Sequence, residues 1–312
     1  MNLANFIGRR LLQTVPVLIG ISVVSFLLIT LIPGDPARLV LGSRATEDAV
    51  AALRHDWGLD RPMLVQYASY VGNILTGDLG DSMKFRVPVL DLILQYLPRT
   101  LFLIVYVLVL TLPATVLMAV VAARNEGRWP DQLIRFVSVL GMTIPVFWLA
   151  VLFARFFGVK LGWFPVSGYG EGFVDHLHHL FLPAVSTALW LAPLLTRNLR
   201  TALIEQMEAD YVAASRAKGL PENYIFRRHI LGNSILPTLN LLGVMIAFMI
   251  GGSVVVEMVY AVPGLGALMI SSVLGRDYFV IQGLTLVYAL ATVLVTLFID
   301  LSTNIIDPRT SE

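Results

Sequence analysis

The chain contains six apolar runs, most of them long enough to cross a lipid bilayer as a helix. They lie at residues 11–32, 100–122, 133–157, 181–195, 235–259 and 281–305. Roughly 20 helical residues span about 30 Å of hydrocarbon. Of the 312 residues, 57% are hydrophobic and only 14% are charged, which is more apolar than a water-soluble domain requires. The sequence therefore predicts an all-α, polytopic membrane protein with six transmembrane helices.

The first apolar run sets the expected orientation. Arg9 and Arg10 precede it, and basic residues favour the cytoplasmic side of a membrane. The run is too long for the apolar part of a cleaved signal peptide and lacks a small-residue cleavage site, so we expect it to remain as an anchor. Six crossings return a chain to the side on which it began. Both termini are therefore expected in the cytoplasm.

Two long polar segments divide the chain into predicted parts. Residues 33–98 carry two amphipathic helical patterns and are expected to form an external subdomain. The second segment is a cytoplasmic loop at 201–236. We predict an N-terminal tail with the first transmembrane helix (1–32), the external subdomain (33–98) and a five-helix core that includes the loop (99–312).

A short helix with a marked end occupies the middle of loop 201–236. Tyr211, Ala214 and Lys218 recur at helical spacing. Gly219 can adopt the left-handed conformation of a helix C-terminus, and Pro221 cannot continue a helix. The helix should therefore stop at Lys218. Pro221 suits the first turn of a following helix, so we expect two short helices joined at a tight corner.

The surface of this predicted helix is smooth. Its side chains are mostly small, at Ala213, Ala214, Ser215 and Ala217, with Arg216 and Lys218 beside them. Such a surface permits close approach by another protein and is too weakly apolar to form a core. Two alternatives remain: packing within the chain, or a loop that is basic only because cytoplasmic loops are.

Small residues also mark the fifth apolar run, at Gly243, Gly251, Gly252 and Ser253. Close helix packing is the simpler interpretation, because small residues let helices approach one another. The lining of a substrate path is the alternative, and these four residues are its candidates.

A histidine cluster lies in the loop expected before the fourth run. His176, His178 and His179 follow Asp175, which suggests a metal site. Solvated histidines without a frame of carboxylates are more common, so we predict no metal site and leave metal binding as the alternative.

Several function classes find no support in the sequence. The chain has no cysteine, a net charge of only +1 and no dense basic cluster, which argues against disulfides, thiolate metal sites and nucleic-acid binding. It lacks the phosphate-binding loop of ATPases and the H-E-x-x-H and G-x-S-x-G motifs of hydrolases. We therefore expect no catalytic residue and no cofactor in this chain.

The loop helix resembles the cytoplasmic loop of ABC importer permeases. That loop reads Glu-Ala-Ala, three residues, then Gly, and is matched here by Ala213, Ala214, Ser215 and Gly219. Alanine replaces the glutamate, as is usual in the branch whose loop contains a run similar to Ser215–Leu220, SRAKGL.

Shorter motifs in the same order extend the resemblance to permeases of the dipeptide, oligopeptide and nickel importer family. They are Arg9-Arg10, Pro33-Gly34-Asp35-Pro36, Trp57-Gly58-Leu59-Asp60, Gly77-Asp78-Leu79-Gly80, Arg128-Trp129-Pro130-Asp131, Val256-Glu257, Pro263-Gly264-Leu265-Gly266, Arg276-Asp277-Tyr278 and Asp307-Pro308-Arg309. Each is weak alone, but their shared order is specific.

The resemblance implies an ABC type I importer permease fold in the bacterial inner membrane, surrounded by lipid. It implies four kinds of contact: a second related permease, two ATPase subunits that use ATP and Mg²⁺, an external binding protein and the substrate. The loop residues that would couple to the ATPase are Tyr211, Ala213, Ala214, Ser215, Arg216, Ala217, Lys218 and Gly219. Small peptides are the expected substrate, with glutathione or nickel as alternatives.

A self-contained secondary transporter is the alternative from another class. Such proteins place ionisable residues near the membrane midplane and often show inverted repeats. Here the charged residues lie at the ends of the apolar runs and no internal repeat is evident.

Overall fold

The computed structural model describes residues 3–31, 36–42 and 45–306, and these form helices joined by short loops. The helices are α1 (Leu3–Leu31), α2 (Pro36–Leu41), α3 (Glu47–Asp56), α4 (Met63–Thr76), α5 (Val89–Arg124), α6 (Trp129–Thr143), α7 (Val146–Phe153), α8 (Phe173–Met207), α9 (Asp210–Ala217), α10 (Glu222–Ile225), α11 (Gly232–Val259), α12 (Leu265–Gly275) and α13 (Tyr278–Ile306). Residues 33–35 and 307–309, which carry two of the sequence motifs, lie outside the described residues.

Within the described ranges, five helical segments are long and apolar enough to cross a membrane. They are Gly8–Leu27, Val89–Arg124, Phe173–Met207, Glu222–Val259 and Tyr278–Asn304. A sixth candidate is the pair of α6 and α7, which is bent by 96° at the break between them. The all-α, multi-span class predicted from the apolar runs is confirmed.

The third apolar run bends far more sharply than a proline kink. Pro145 was expected to bend one continuous helix, but it instead precedes α7 in extended backbone conformation, with φ −61° and ψ 133°. Ile144 before it is also extended, as proline disfavours helical geometry in the preceding residue. The run is therefore two helices meeting at a corner.

Three other expectations about helix limits were wrong. The helix α5 starts at Val89 and continues through Pro98, where the second span had been expected to begin just after that proline. The histidines 176–179 lie in the first turns of α8, not in a loop. The helix expected at Pro221 is not separate, because α10 continues through a π-helical segment, Phe226–Leu231, into α11. In membranes, neighbouring helices can satisfy the backbone groups that prolines free, so such helices need not break.

The described residues fall into two compact units. The core unit comprises the described parts of Pro98–Ala267 and Leu294–Glu312, and the N-terminal unit those of Asn2–Leu97 and Leu268–Val293. The division into three parts made from the sequence stays a prediction.

The core unit is built around α8. This helix packs against α6, α7 and α11, and most of its middle residues are buried. Gly141 in α6 allows this approach, since a Cβ there would lie 2.8 Å from Pro193 and 2.9 Å from the carbonyl of Leu189. Close packing at small residues is how helices associate in membranes.

Polar contacts organise the N-terminal unit. The Ser82 hydroxyl donates to the buried Asp277 carboxylate at 2.5 Å, and the backbone N–H groups of Met83 and Lys84 donate to the same carboxylate at 3.2 and 3.1 Å. Asp277 thereby holds the loop between α4 and α5 against the start of α13. The motif Arg276-Asp277-Tyr278 thus has a structural role that its sequence did not reveal.

Candidate functional site

Helix α9 ends as its sequence predicts. Ala217 is its last residue, and Gly219 follows the Lys218 cap with φ +76°. The N–H of Leu220 donates to the carbonyl of Ser215 at 3.3 Å, and that of Gly219 to the carbonyl of Arg216 at 2.9 Å. This pair of hydrogen bonds is the Schellman motif, which depends on the left-handed residue. The predicted stop at Lys218 is confirmed.

One side of α9 is anchored in an apolar cluster. Val212 is fully buried there, together with Ile225, where the chain turns back. The buried members of the cluster, drawn from α5, α8, α9 and the chain leading into α11, are Ala119, Ala123, Leu199, Leu203, Val212, Ile225, Phe226 and Ile230. Through this cluster, α9 packs with α5, α8 and the chain leading into α11.

The opposite side of α9 is open. Residues Ala213, Ala214, Arg216, Ala217, Lys218 and Gly219 are exposed, and no heavy atom lies within 4 Å of the position of a Cβ on Gly219. Ser215 is half-buried and donates from its hydroxyl to the carbonyl of Tyr211 at 2.7 Å. We name the exposed face formed by residues 213–219 the coupling surface, after the role that the sequence resemblance predicts for it.

Tyr211 differs from the other predicted coupling residues because its hydroxyl is hydrogen-bonded to neighbouring helices. Its hydroxyl donates to Oε1 of Gln206 at 2.5 Å and accepts from Nδ2 of Asn233 at 3.1 Å. It therefore ties the end of α8 and the start of α11 to α9. Across the corner, the Arg216 guanidinium donates to Oε1 of Glu222 at 2.8 Å. Both contacts stiffen the corner.

A buried ion pair lies near this region, and sequence reasoning missed it. Asp131, at the start of α6, has no exposed side-chain surface, and Arg200 in α8 donates to it through Nε at 2.6 Å and Nη2 at 2.7 Å. The N–H of Gly127 adds a third hydrogen bond at 3.1 Å. Two parallel bonds from one guanidinium fix geometry as well as charge.

The contact of Asp131 with Arg200 bears on the number of membrane spans. It places the start of α6 beside the end of α8. By length and composition the described residues contain five candidate spans, or six if the bent pair of α6 and α7 forms one span. If α8 crosses the membrane, the chain between Asp131 and Phe173 crosses back, which favours six spans.

A second buried carboxylate lies at the far end of α11. Glu257 is fully buried and accepts from the Thr100 hydroxyl at 2.8 Å, from the N–H of Gly266 at 2.8 Å and from that of Ala267 at 3.1 Å. It thus satisfies free N–H groups at the start of α12, where a negative charge is favoured. The signal in the sequence was an acid at the end of an apolar run, shortly before a Pro-Gly turn.

We expect Glu257→Gln to destabilise the protein by roughly 1–3 kcal/mol. The amide keeps one acceptor oxygen, so it can accept from either the Thr100 hydroxyl or the N–H groups of Gly266 and Ala267, and the remaining hydrogen bonds lose the carboxylate charge. Thermal unfolding in detergent measures the effect. Glu205→Gln, which changes an exposed carboxylate in α8, is the control and should leave the melting temperature nearly unchanged. Equal melting temperatures for both variants would contradict a capping role.

The four candidate path residues occupy different environments. Gly243 packs against Ile299, since a Cβ there would lie 2.6 Å from its Cγ1. Gly251 is exposed, with open space around it. Gly252 and Ser253 line an apolar cavity of about 60 Å³ beside Trp190. Packing therefore accounts for Gly243, and a role of the other three in a path stays a prediction.

The three histidines at the start of α8 point to separate partners. A ring nitrogen of His176 is 2.8 Å from the carbonyl of Tyr169, one of His178 is 2.9 Å from that of Trp163, and one of His179 is 3.0 Å from that of Asp175. In the described part of the chain, no group of three or more potential metal-ligating side chains converges. The contacts of His176 and His178 hold the preceding loop on α8, whereas that of His179 lies within α8.

Comparison with known families identifies the architecture. The sequence pattern of the family described as binding-protein-dependent transport system inner membrane component matches residues 115–312, and that of its N-terminal region matches residues 3–119. The chain belongs to this family. It is a multi-pass permease of the bacterial inner membrane.

Relatives match the permease over nearly its whole length. A protein of Brucella suis biovar 1, named as a peptide transport system permease, is 37% identical over 305 residues, 96% of this chain and 97% of its own. A glutathione transport system permease protein of Escherichia coli O6:H1 is 36% identical, covering 97% of this chain and 98% of its own. An oligopeptide transport system permease protein of Bacillus subtilis is also 36% identical, covering 98% and 99%.

Solved structures share the fold of the permease. A chain of an amino acid ABC transporter matches with a TM-score of 0.54 and 14% identity, covering 69% of the permease and 94% of that chain. A chain of the methionine ABC transporter MetNI matches with a TM-score of 0.52 and 20% identity, covering 69% and 96%. At these identities the likeness concerns the fold.

Proposed function

We propose that the permease is one of two membrane subunits of an ATP-driven importer of small peptides. Relatives named for peptide, oligopeptide and glutathione transport support the substrate class. The external binding protein delivers the substrate, and two ATPase subunits supply the energy. ATP and Mg²⁺ are held by those subunits, and this chain has no catalytic residue and no cofactor of its own.

The observation that carries the proposal is that α9 has one exposed face and one face buried against other helices. Its coupling surface is smooth and exposed, while its buried side, through Val212, packs on helices that cross the membrane. We propose that a groove of an ATPase subunit receives this surface. When ATP brings the two ATPase subunits together, α9 moves with them, and the apolar cluster passes the motion to α5, α8 and α11.

The distribution of basic residues supports a cytoplasmic position for this surface. Loop 201–236 and the loop between α5 and α6 lie on one side of the membrane, because Asp131 and Arg200 meet there. These regions carry Arg124, Arg128, Arg135, Arg216, Lys218, Arg227 and Arg228. The excess of basic residues favours the cytoplasm. With six spans, both termini then lie in the cytoplasm.

One face of α11 supports a second permease as partner. Val244, Phe248, Gly251, Val255 and Met258 recur at alternating spacings of four and three residues, and all are exposed. Such spacing forms the seam of paired helices, and a glycine in a seam lets two backbones approach. We propose that a related permease packs on this face, so that the substrate path lies between the two, beside Gly251, Gly252 and Ser253.

Gly251→Leu should separate the two permeases. A leucine at that place would hold the partner helix away, whereas lipid chains would adapt to it. We expect at least about a tenfold loss of co-purified partner, equivalent to roughly 1.4 kcal/mol. The matched control is Gly20→Leu, in an open position on α1. Equal recovery of the partner from both variants would mean that lipid covers this face of α11.

Reconstitution tests the function as a whole. The permease is co-purified with the ATPase subunits and the second permease, placed in liposomes and supplied with the binding protein. ATP-dependent uptake of labelled dipeptides and tripeptides is the expected result. Uphill uptake by this chain alone would instead identify a secondary transporter. Uptake of glutathione or nickel in place of the peptides would correct the substrate.

A further inference from the structure

The N-terminal unit contains a cavity of about 340 Å³ that the functions above leave unused. Four aromatic side chains line it: Phe26 of α1, Trp57 after α3, Tyr70 of α4 and Phe279 of α13. Its volume lies in the range of small-molecule sites, about 300–1,000 Å³. Phe26 lies near the end of the first span, so the cavity is at the side of the membrane opposite Arg9 and Arg10.

The segment that carries Trp57 is fixed by its own backbone. Gly58 adopts φ +65°, and the N–H of Leu59 donates to the carbonyl of Arg54 at 2.9 Å. The Trp57 ring meets that of Phe279 edge to face, with centroids 5.2 Å apart. Motif Trp57-Gly58-Leu59-Asp60 therefore places an aromatic wall.

Side-chain hydrogen bonds hold the other walls. The Gln66 amide donates to the carbonyls of Leu59 and Arg61 at 3.2 and 2.8 Å, which braces the loop between α3 and α4. The Gln282 amide donates to the carbonyl of Ser25 at 3.1 Å and binds α13 to α1. Contacts within the chain therefore hold the walls of the cavity, and such preorganisation lowers the cost of binding a ligand.

Two opposite charges border this cavity. Asp56 and Arg61 both line it, both are exposed, and neither forms an ion pair with another side chain in the described parts of the chain. Asp60, which lies between them in sequence, is engaged elsewhere: its hydrogen bond with His55, at 2.8 Å, holds the pKa of Asp60 below its usual value. A carboxylate and a guanidinium thus remain available for a ligand.

We propose that this cavity binds a short peptide with free ends, as a subsite through which the substrate passes after it leaves the binding protein. Asp56 attracts the terminal ammonium, Arg61 the terminal carboxylate, and the aromatic walls take a side chain. A simple anion would be repelled by Asp56 and a simple cation by Arg61, so a zwitterion fits best. The inference rests on the proposed peptide import.

Binding measured without transport tests the site. The complete importer, without binding protein, is placed in nanodiscs of phosphatidylglycerol and titrated with L-alanyl-L-phenylalanine by calorimetry. We expect saturable binding that weakens about tenfold when the peptide is N-acetylated or C-amidated, as loss of a charge-assisted hydrogen bond predicts.

Each variant should weaken binding only through the peptide end that the changed residue contacts. Asp56→Asn should weaken the free peptide about tenfold and leave the N-acetylated peptide unaffected, and Arg61→Gln should do the same for the amidated peptide. Trp57→Phe keeps the aromatic wall and should preserve binding. Asp48→Asn, on the same helix as Asp56, and Arg86→Gln, an exposed arginine of the same unit, are the charge controls. Equal affinities in all variants, or no binding by the wild type, would overturn the proposal.

A lipid headgroup could also supply a zwitterion, and a titration in a second lipid distinguishes lipid from peptide. The titration is repeated with phosphatidylethanolamine in the nanodisc. Peptide binding in both membranes supports the proposal, whereas binding only without phosphatidylethanolamine assigns the cavity to lipid and overturns it. Uptake by the complete importer is measured separately. Normal peptide uptake with unchanged KM in Asp56→Asn and Arg61→Gln would reject this site alone. A wild type that takes up no peptide would reject the proposed function.

Discussion

Gly219→Val should abolish most coupled uptake while the protein still inserts and assembles. A β-branched residue at φ +76° is strained by roughly 1–2 kcal/mol, so the chain would leave this conformation and lose the corner after α9. That energy corresponds to about a 5- to 30-fold loss of correctly formed coupling surface. We expect uptake to fall by this factor and ATP hydrolysis to lose its stimulation by the loaded binding protein.

A second glycine provides a matched control for this variant. Gly162, in the loop before α8, has φ +64° and open space around its Cβ position, as Gly219 has. Gly162→Val therefore introduces similar backbone strain away from the coupling surface and from the Asp131 ion pair. Gly219→Asn should retain most uptake, because asparagine tolerates the left-handed conformation. Equal uptake by Gly219→Val and Gly162→Val would refute the assignment of the coupling surface.

Arg200→Met is expected to have the largest effect on stability, a loss of about 3 kcal/mol. It removes two hydrogen bonds from Asp131 and leaves a fully buried carboxylate with one hydrogen-bond donor, the N–H of Gly127, and with the Arg135 guanidinium at 3.6 Å. The lower part of the range for broken buried pairs applies, because Arg135 still faces Asp131 and the Arg200 side chain keeps 16% of its surface exposed. Equilibrium unfolding in mixed detergent micelles measures the loss.

Two further variants separate the effect of breaking the ion pair from the effect of losing a positive charge. Arg197→Met makes the same change at an exposed position of α8 and should alter the free energy of unfolding by less than about 0.5 kcal/mol. The double variant Asp131→Leu with Arg200→Met removes both charges and should recover most of the stability. If Arg200→Met were no less stable than Arg197→Met, the pair would not hold α6 on α8.

Local patterns determined the class of the protein and one detail of its site. A run of apolar residues excludes water-exposed structure whatever its neighbours are, so the membrane spans could be located from sequence. The end of α9 was equally local, because a glycine followed by a proline two residues later decides where a helix stops. The exposed small residues of the coupling surface were found in the same way.

The lengths of the helices could not be predicted as well. The prolines predict boundaries between segments, but α5 passes through Pro98, and the chain from Glu222 to Val259 is continuously helical across a π-helical segment. Pro145 had been expected only to kink a helix, but it lies at a 96° corner. Whether a helix bends, breaks or continues at a proline depends on what packs against that proline.

The sequence by itself determined that the chain lies in a membrane, where its apolar runs fall and that a smooth helix ends at Lys218. Only the tertiary structure decided which partners the buried carboxylates meet: Arg200 for Asp131, and Thr100 for Glu257, which is 157 residues away in the chain. The physical reason is the distance along the chain over which each interaction acts. Hydrophobicity and backbone conformation act over a few turns of helix, whereas a buried carboxylate is stabilised only by the donors that folding brings to it.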